Sequence, residues 1–111
     1  MTRPAIAWGL LIIAGLLEIG WSLGFKLSQA TDRRAVGLLA AALCMCASVA
    51  LLWMAQRDIP IGTAYAVWTG IGAAGTFLVG IAYFGDAVTP LRIASVCLII
   101  AGVIGLKVSH A

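Results

Sequence analysis

Glu18 is the residue with the most distinctive chemistry in this sequence, because it is the only glutamate and lies in an apolar stretch. The stretch runs from Ala5 to Phe25 and holds no other charged residue. About 20 apolar residues cross the hydrocarbon core of a bilayer, which puts Glu18 past the middle of a spanning helix. A carboxylate at that depth costs about 2.5 kcal/mol or more. Ionisable groups kept there usually face a cavity or a partner, so we expect Glu18 to be functional.

Small, polar and aromatic residues share the helix face on which Glu18 lies. Residues three and four positions apart are neighbours on an α-helix. Gly15 and Ala14 leave room beside the carboxyl group, and Ser22 can donate a hydrogen bond to it. Trp21 offers an indole N–H or a π face. These neighbours predict a site that binds a proton or a cation.

Further candidates lie on two other apolar runs. Tyr65 and Trp68 are three residues apart, and a tyrosine hydroxyl inside a membrane needs a partner such as a buried carboxylate. The alternative is an interfacial aromatic belt, which Tyr65 would also fit. Ser48 is the only hydroxyl of the second run, and it is either a further donor at the site or a helix contact.

A carboxyl group in such a place can serve two cations in turn. Desolvation disfavours the charged form of a carboxyl group, so it holds a proton readily, and when deprotonated it binds an organic cation. The two ligands compete for the same oxygens, and that competition suffices for proton-coupled antiport if the site opens alternately to each side. Aromatic faces suit a weakly hydrated cation, and planar N–H donors suit a carboxylate.

The composition requires an integral membrane protein. The 111 residues are 63% hydrophobic and 10% charged, against about 25% charged residues in soluble domains. We predict an all-α protein of one transmembrane domain, residues 1–111, an up-down bundle of four helices near 4–27, 34–55, 59–85 and 90–108. The fourth apolar run is short, and it forms a membrane-spanning helix only if the helix begins at Pro90 with Thr89 as N-cap.

The basic residues do not choose an orientation. One end of the bundle carries Arg3, Arg57 and Lys107, and the other carries Lys26, Arg33, Arg34 and Arg92. This bias is weak under the positive-inside rule, so either a partner fixes the topology or the chain inserts both ways. Insertion both ways would permit an antiparallel homodimer. The alternative is that one orientation dominates.

Small residues suggest a hinge and a seam between subunits. Gly70 and Gly72 suit a hinge in the third helix, or simply close packing. Ser95 and Gly102 lie seven residues apart on the fourth helix, where they predict a contact with a second subunit or packing within one subunit.

Other functions find no support in the sequence. The cysteines Cys44, Cys46 and Cys97 have no metal-ligand spacing and are read as packing residues, so we expect no metal site, no cofactor and no enzyme. No basic cluster suggests nucleic acid. The first apolar run is longer than the h-region of a signal peptide and contains a glutamate, so we expect no cleavage.

Four stretches resemble the small multidrug resistance transporters, and the resemblance covers essentially the whole chain. They are GLLEIGW from Gly15, PIGTAYAVWTGIG from Pro60, PLR from Pro90 and GVIGLK from Gly102. The third-helix motif is highly specific. Gly15 and Trp21, three residues either side of Glu18, match the guanidinium exporter branch.

The resemblance implies an antiparallel dimer of four-helix subunits with a central site in a bacterial inner membrane. Glu18 would be the carboxylate shared by proton and substrate, with Trp21 and Ser48 as its hydrogen-bond network. Tyr65 and Trp68 would line the site, and Tyr65 would gate it.

The resemblance also implies a kink in the third helix at Gly70–Gly72 and a dimer seam along the fourth helix. Some members work as paired heterodimers, which stays an alternative to the homodimer. The expected function is proton-coupled export of guanidinium and small substituted guanidinium cations. Export of quaternary ammonium or aromatic cations, or a proton-carrying structural proteolipid, are the alternatives.

Overall fold

The computed structural model describes residues 3–30 and 32–109, which form four α-helices. They are α1 (Arg3–Ala30), α2 (Arg34–Ala55), α3 (Ile61–Phe84) and α4 (Pro90–Ser109). Each of the four is long and apolar enough to cross a membrane. The predicted fold class, an all-α protein with four transmembrane helices, is confirmed. The helix ends follow the charged and turn-forming residues that interrupt the apolar runs.

The first helix is the centre of the bundle. α1 packs against both α2 and α3, whereas α4 packs along α3. Because short connections make neighbouring helices antiparallel, α1 and α3 run in the same direction. Their C-terminal ends therefore lie at the same end of the bundle.

Glycines bring α1 and α2 into close contact. A methyl group added at Gly24 would lie 2.8 Å from the Gly37 carbonyl oxygen, and one at Gly37 would lie 2.8 Å from the Gly24 carbonyl oxygen. Ser28 and Ala41 flank this crossing and are also buried. Such close approach of two backbones is the usual way in which membrane helices associate.

The apolar core fills the half of the bundle in which α1 begins. Its largest fully buried side chains include Leu11, Ile59 and Val67. At the same end, the Arg3 guanidinium and the Asp58 carboxylate form an ion pair at 2.9 Å. This half of the bundle thus combines an apolar core with a charge pair at its surface, and both charged residues line a cavity of about 360 Å³.

A short turn links α3 to α4. Gly85 ends α3 in the left-handed conformation with a φ of 68°, which glycine adopts without strain. The Thr89 hydroxyl accepts the Arg92 backbone N–H at 3.2 Å, as expected of an N-cap. The Arg92 side chain donates to the Ala87 carbonyl at 2.8 Å, so the turn is held at both ends.

The outer helix, α4, is mostly uncovered. Val96 is its only residue in the buried class among those that the structure describes. Large apolar side chains such as Leu98 and Ile104 are exposed. In a membrane these faces meet lipid or another protein chain.

The crossing at Gly24 gives a test of the packing. We expect Gly24→Ala to lower the free energy of unfolding in detergent by about 1–3 kcal/mol, because the methyl group must push two backbones apart. Gly9→Ala is the matched control on the same helix, since no heavy atom lies within 4 Å of that methyl position. It should leave stability unchanged or raise it by up to about 1 kcal/mol. Equal effects of the two substitutions on thermal unfolding would contradict this packing.

Candidate functional site

Glu18 lies half-buried at the contact between α1 and α3. A methyl group added at Gly72 would lie 2.7 Å from the Glu18 Cβ, so the absence of a side chain there gives the glutamate its space. The Trp21 indole N–H donates a hydrogen bond to the Glu18 carboxylate oxygen Oε1. One turn of α1 therefore supplies both the acid and its donor.

The indole of Trp21 is itself held in place. Its ring packs edge-on against the ring of Phe25, one turn further along α1, with centroids 5.3 Å apart. A rigid aromatic donor orients the carboxylate without neutralising its charge. Among the described residues, Trp21 is the one that donates to this carboxylate, and it does so at Oε1.

A hydrogen-bond chain ties three helices together one turn away from Glu18. The Trp68 indole N–H on α3 donates to the Ser48 hydroxyl on α2 at 2.8 Å. That hydroxyl donates to the Ala14 carbonyl on α1 at 2.7 Å. Because the carbonyl of residue i in an α-helix accepts the N–H of residue i+4, the same Ala14 carbonyl belongs to the turn that ends at Glu18.

This chain determines what Ser48 does in this structure. A serine hydroxyl has one proton to donate, and here the Ala14 carbonyl accepts it. Ser48 is fully buried, and it contacts α1 at the Ala14 carbonyl, one turn before Glu18, rather than at the carboxylate. Its predicted place in the hydrogen-bond network of Glu18 is thus indirect in this geometry.

The aromatic pair on α3 lies at the edge of the site. The rings of Tyr65 and Trp68 are 5.6 Å apart and inclined by 55°. Trp68 is half-buried and bonded to Ser48, whereas Tyr65 is 56% exposed. Tyr65 therefore presents its ring at the surface of the subunit, next to the half-buried ring of Trp68.

Three of the glycines singled out from the sequence, Gly15, Gly70 and Gly72, lie at helix contacts. The space beside Gly15 is filled by Ile71, whose Cβ lies 2.8 Å from the position that a methyl group on Gly15 would take. Gly70 faces Val103 of α4, and Gly72 faces Glu18. α3 is continuous through Gly70–Gly72, so these glycines act as packing positions in this structure, and a hinge there stays a prediction.

Periodicity on α1 could not reveal the contact between Gly72 and Glu18. The helix pattern identifies which residues share a face with Glu18, but not which residue of another helix faces it. The only available signal was the density of glycines in the third run.

The two predicted seam residues lie away from Glu18, on the outer surface of α4. The Ser95 hydroxyl donates to the Leu91 carbonyl of its own helix at 2.8 Å. No heavy atom lies within 4 Å of a methyl group added at Gly102. Both positions are thus open on the subunit surface.

The sequence matches the family model described as Small Multidrug Resistance protein over residues 6–99. Several bacterial proteins named Guanidinium exporter are similar along nearly their whole length. That of Escherichia coli (strain K12) is 45% identical over 104 residues, covering 94% of this chain and 98% of its own. Those of Citrobacter freundii and Salmonella typhimurium are 46% identical with the same coverage.

The bond between Ser48 and Trp68 predicts a measurable coupling. We expect Ser48→Ala to cost about 1–3 kcal/mol, because it leaves the buried indole N–H of Trp68 without an acceptor. In a Trp68→Phe background the same change should cost less, giving a coupling of about 1 kcal/mol in a double-mutant cycle. Thermal unfolding in detergent measures all four proteins.

Ser109→Ala is the matched control for that cycle. It removes an exposed hydroxyl that bonds only within its own helix, and it should change stability by less than about 0.5 kcal/mol. Strictly additive effects of Ser48→Ala and Trp68→Phe would show that the two side chains do not act as a unit.

Proposed function

Since the chain belongs to the small multidrug resistance family, we propose that it exports guanidinium and small substituted guanidinium cations in exchange for protons. It is a multi-pass protein of the bacterial inner membrane, and its family comprises transporters rather than enzymes. The observation that supports this proposal is the single carboxylate at membrane depth, oriented by one indole donor. The names of its relatives favour guanidinium as the substrate.

The chemistry of guanidinium suits this carboxylate. Guanidinium is planar and carries N–H donors in a fork that pairs with both oxygens of a carboxylate. Trp21 donates to Oε1 of Glu18 and leaves room for a second donor on the carboxylate. The rings of Tyr65 and Trp68 offer π faces to a weakly hydrated cation.

Coupling to protons follows from charge. Glu18 is neutral overall when it carries either a proton or a guanidinium ion, whereas the empty carboxylate leaves an unpaired charge inside the membrane. Because an unpaired charge there is costly, exchange between the two sides favours the loaded forms. A proton gradient therefore drives the organic cation in the opposite direction.

A second candidate substrate is a bulky quaternary ammonium or aromatic cation. Such a cation has no N–H donors, so it would rely on the aromatic faces of Trp21, Tyr65 and Trp68 and on charge alone. Competition between the two substrate classes in one flux assay distinguishes the proposals. A proton-carrying structural proteolipid would transport neither class.

We further propose an antiparallel homodimer. One subunit leaves Tyr65 and most of α4 uncovered, and Gly102 offers a place for a second backbone to approach. The basic residues are nearly balanced between the two ends, which permits insertion in both directions. A second copy would enclose the two Glu18 sites, whereas a paired but different chain is the alternative.

Replacement of Glu18 tests the transport function. In proteoliposomes with an imposed pH gradient, we expect Glu18→Gln to reduce guanidinium flux at least about 100-fold, because the amide can neither ionise nor exchange a proton. Glu18→Asp should retain coupled flux at a reduced rate. The matched control is Asp32→Asn, a carboxyl-to-amide change in the exposed α1–α2 connection. Guanidinium flux that continues unchanged in a folded Glu18→Gln protein would refute the proposal.

Labelling tests the antiparallel arrangement. In a variant with Cys44, Cys46 and Cys97 replaced by alanine, we expect an impermeant maleimide to modify part of the Asp32→Cys protein in intact cells and the remainder only after the membrane is permeabilised. Modification from one side alone would exclude insertion in both orientations.

A further substitution separates orientation from assembly. We expect Gly102→Leu to retain two-sided labelling but to lower the dimer fraction on size-exclusion chromatography, because the side chain obstructs the proposed seam. Gly62→Leu is its control, since an added methyl group there meets no heavy atom within 4 Å. A heterodimer would appear as a monomer of this chain until the partner is co-expressed.

A further inference from the structure

A cleft between α1 and α3 opens beyond Glu18, toward the end of the bundle at which both helices finish. It encloses about 140 Å³. Its polar lining comes from Ser22 and Lys26 of α1, Thr76 of α3, and Asp86 of the turn that follows α3. We refer to it as the α1/α3 cleft.

The register of the two helices connects this cleft to Glu18. Glu18 and Gly72 face each other across the contact of α1 and α3. Four residues further along each helix, Ser22 and Thr76 line the cleft. Because residues four apart lie on one face of a helix, the polar positions continue from the carboxylate toward the membrane surface. Lys26 is the next step of four on α1.

The turn after α3 places a carboxylate in this cleft. Gly85 reverses the chain in the left-handed conformation, and the Asp86 N–H donates to the Gly80 carbonyl at 3.1 Å. The Asp86 carboxylate oxygen Oδ2 then occupies the space that a methyl group at Gly80 would fill. Gly85 thus turns the chain back, and Gly80 leaves space for the Asp86 side chain to pack against α3.

Two sources of negative charge would attract a cation into this cleft, the exposed Asp86 carboxylate and the C-terminal end of α3. The C-terminal end of a helix carries a partial negative charge, and α3 has no basic residue in its last turn to balance it. Lys26 supplies the positive charge in the cleft lining, yet its ammonium group and the Asp86 carboxylate form no ion pair within 4 Å. The cleft therefore has an unpaired carboxylate and space beside it.

We propose that the α1/α3 cleft is a second, outer binding site for the exported organic cation, with Asp86 as its carboxylate. The inference rests on the export function proposed above. The Thr76 hydroxyl is a further acceptor for an N–H donor, and Lys26 is a tethered cation that competes with the substrate for Asp86. The site is filled before or after Glu18, according to the direction of exchange.

Transport kinetics test this site. We expect Asp86→Asn to raise the half-saturating guanidinium concentration about three- to tenfold, and to raise it more than it lowers the maximal rate, because an attracting charge at the entrance is lost. The shift should shrink at high ionic strength, where salt screens the attraction. Gly80→Ala keeps the carboxylate but displaces it, and should shift the same constant in the same direction. Asp32→Asn, on the same side of the membrane but outside the cleft, is the control.

Removal of the Lys26 charge should change the half-saturating guanidinium concentration in the opposite direction. We expect Lys26→Met to lower the half-saturating concentration, because it removes the competing cation. If Lys26→Met instead abolishes transport and the exchanged pair Lys26→Asp with Asp86→Lys restores it, the two residues form a closing ion pair and the binding-site proposal is wrong. Identical kinetics for Asp86→Asn and Asp32→Asn would overturn it as well.

Direct binding separates this inference from the function on which it rests. In a Glu18→Gln background, titration with guanidinium chloride should reveal weak residual binding that disappears on adding Asp86→Asn. Residual binding that survives Asp86→Asn would remove the outer site while leaving the central one intact. Transport that survives Glu18→Gln would instead refute the export mechanism itself.

Discussion

The structure depends on how one carboxylate is accommodated between helices that are otherwise apolar. If Glu18 binds the exported cation as we propose, it cannot be surrounded by bulky side chains, because the cation must reach it, and it cannot be fixed by a basic residue, because its charge must stay exchangeable. The chain meets both conditions with Gly72 beside the side chain and one indole donor from Trp21. An uncharged donor orients the carboxylate and leaves its charge for a mobile ligand.

Close helix contacts hold the carboxylate at a fixed depth. α1 lies between α2 and α3, and glycines on all three helices replace side chains at the contacts. Ser48 adds a polar tie, since its hydroxyl links Trp68 to the carbonyl at the start of the turn that carries Glu18. Packing and hydrogen bonding thus converge on the same turn of α1. α4 packs on α3, where Val103 faces Gly70, and most of the helix is left for a neighbour or for lipid.

The sequence predicted the helices well because hydropathy and charge mark the ends of membrane spans. It also predicted the hydrogen bond between Trp21 and Glu18, since both lie on one turn of one helix. Contacts between helices were less accessible. Gly15 was expected to leave room beside Glu18, yet Ile71 occupies that space. Ser48 was expected to join the hydrogen-bond network of Glu18, yet its hydroxyl donates to the Ala14 carbonyl. Both outcomes depend on how each helix is rotated about its axis, which helical periodicity within a single segment does not specify.

The two halves of the subunit differ in a way that bears on alternating access. On the side of Glu18 where α1 begins, Leu11, Ile59 and Val67 are fully buried in the apolar core, and the cavity at that end lies between α1 and α2. On the other side, the α1–α3 contact opens into the cleft that Lys26 and Asp86 line. In an antiparallel pair, the open half of one subunit would lie beside the packed half of the other. If the two subunits exchanged their open and packed arrangements, the carboxylates would become accessible from the opposite side of the membrane. The hydrogen bonds of Ser48 would stay intact during this change.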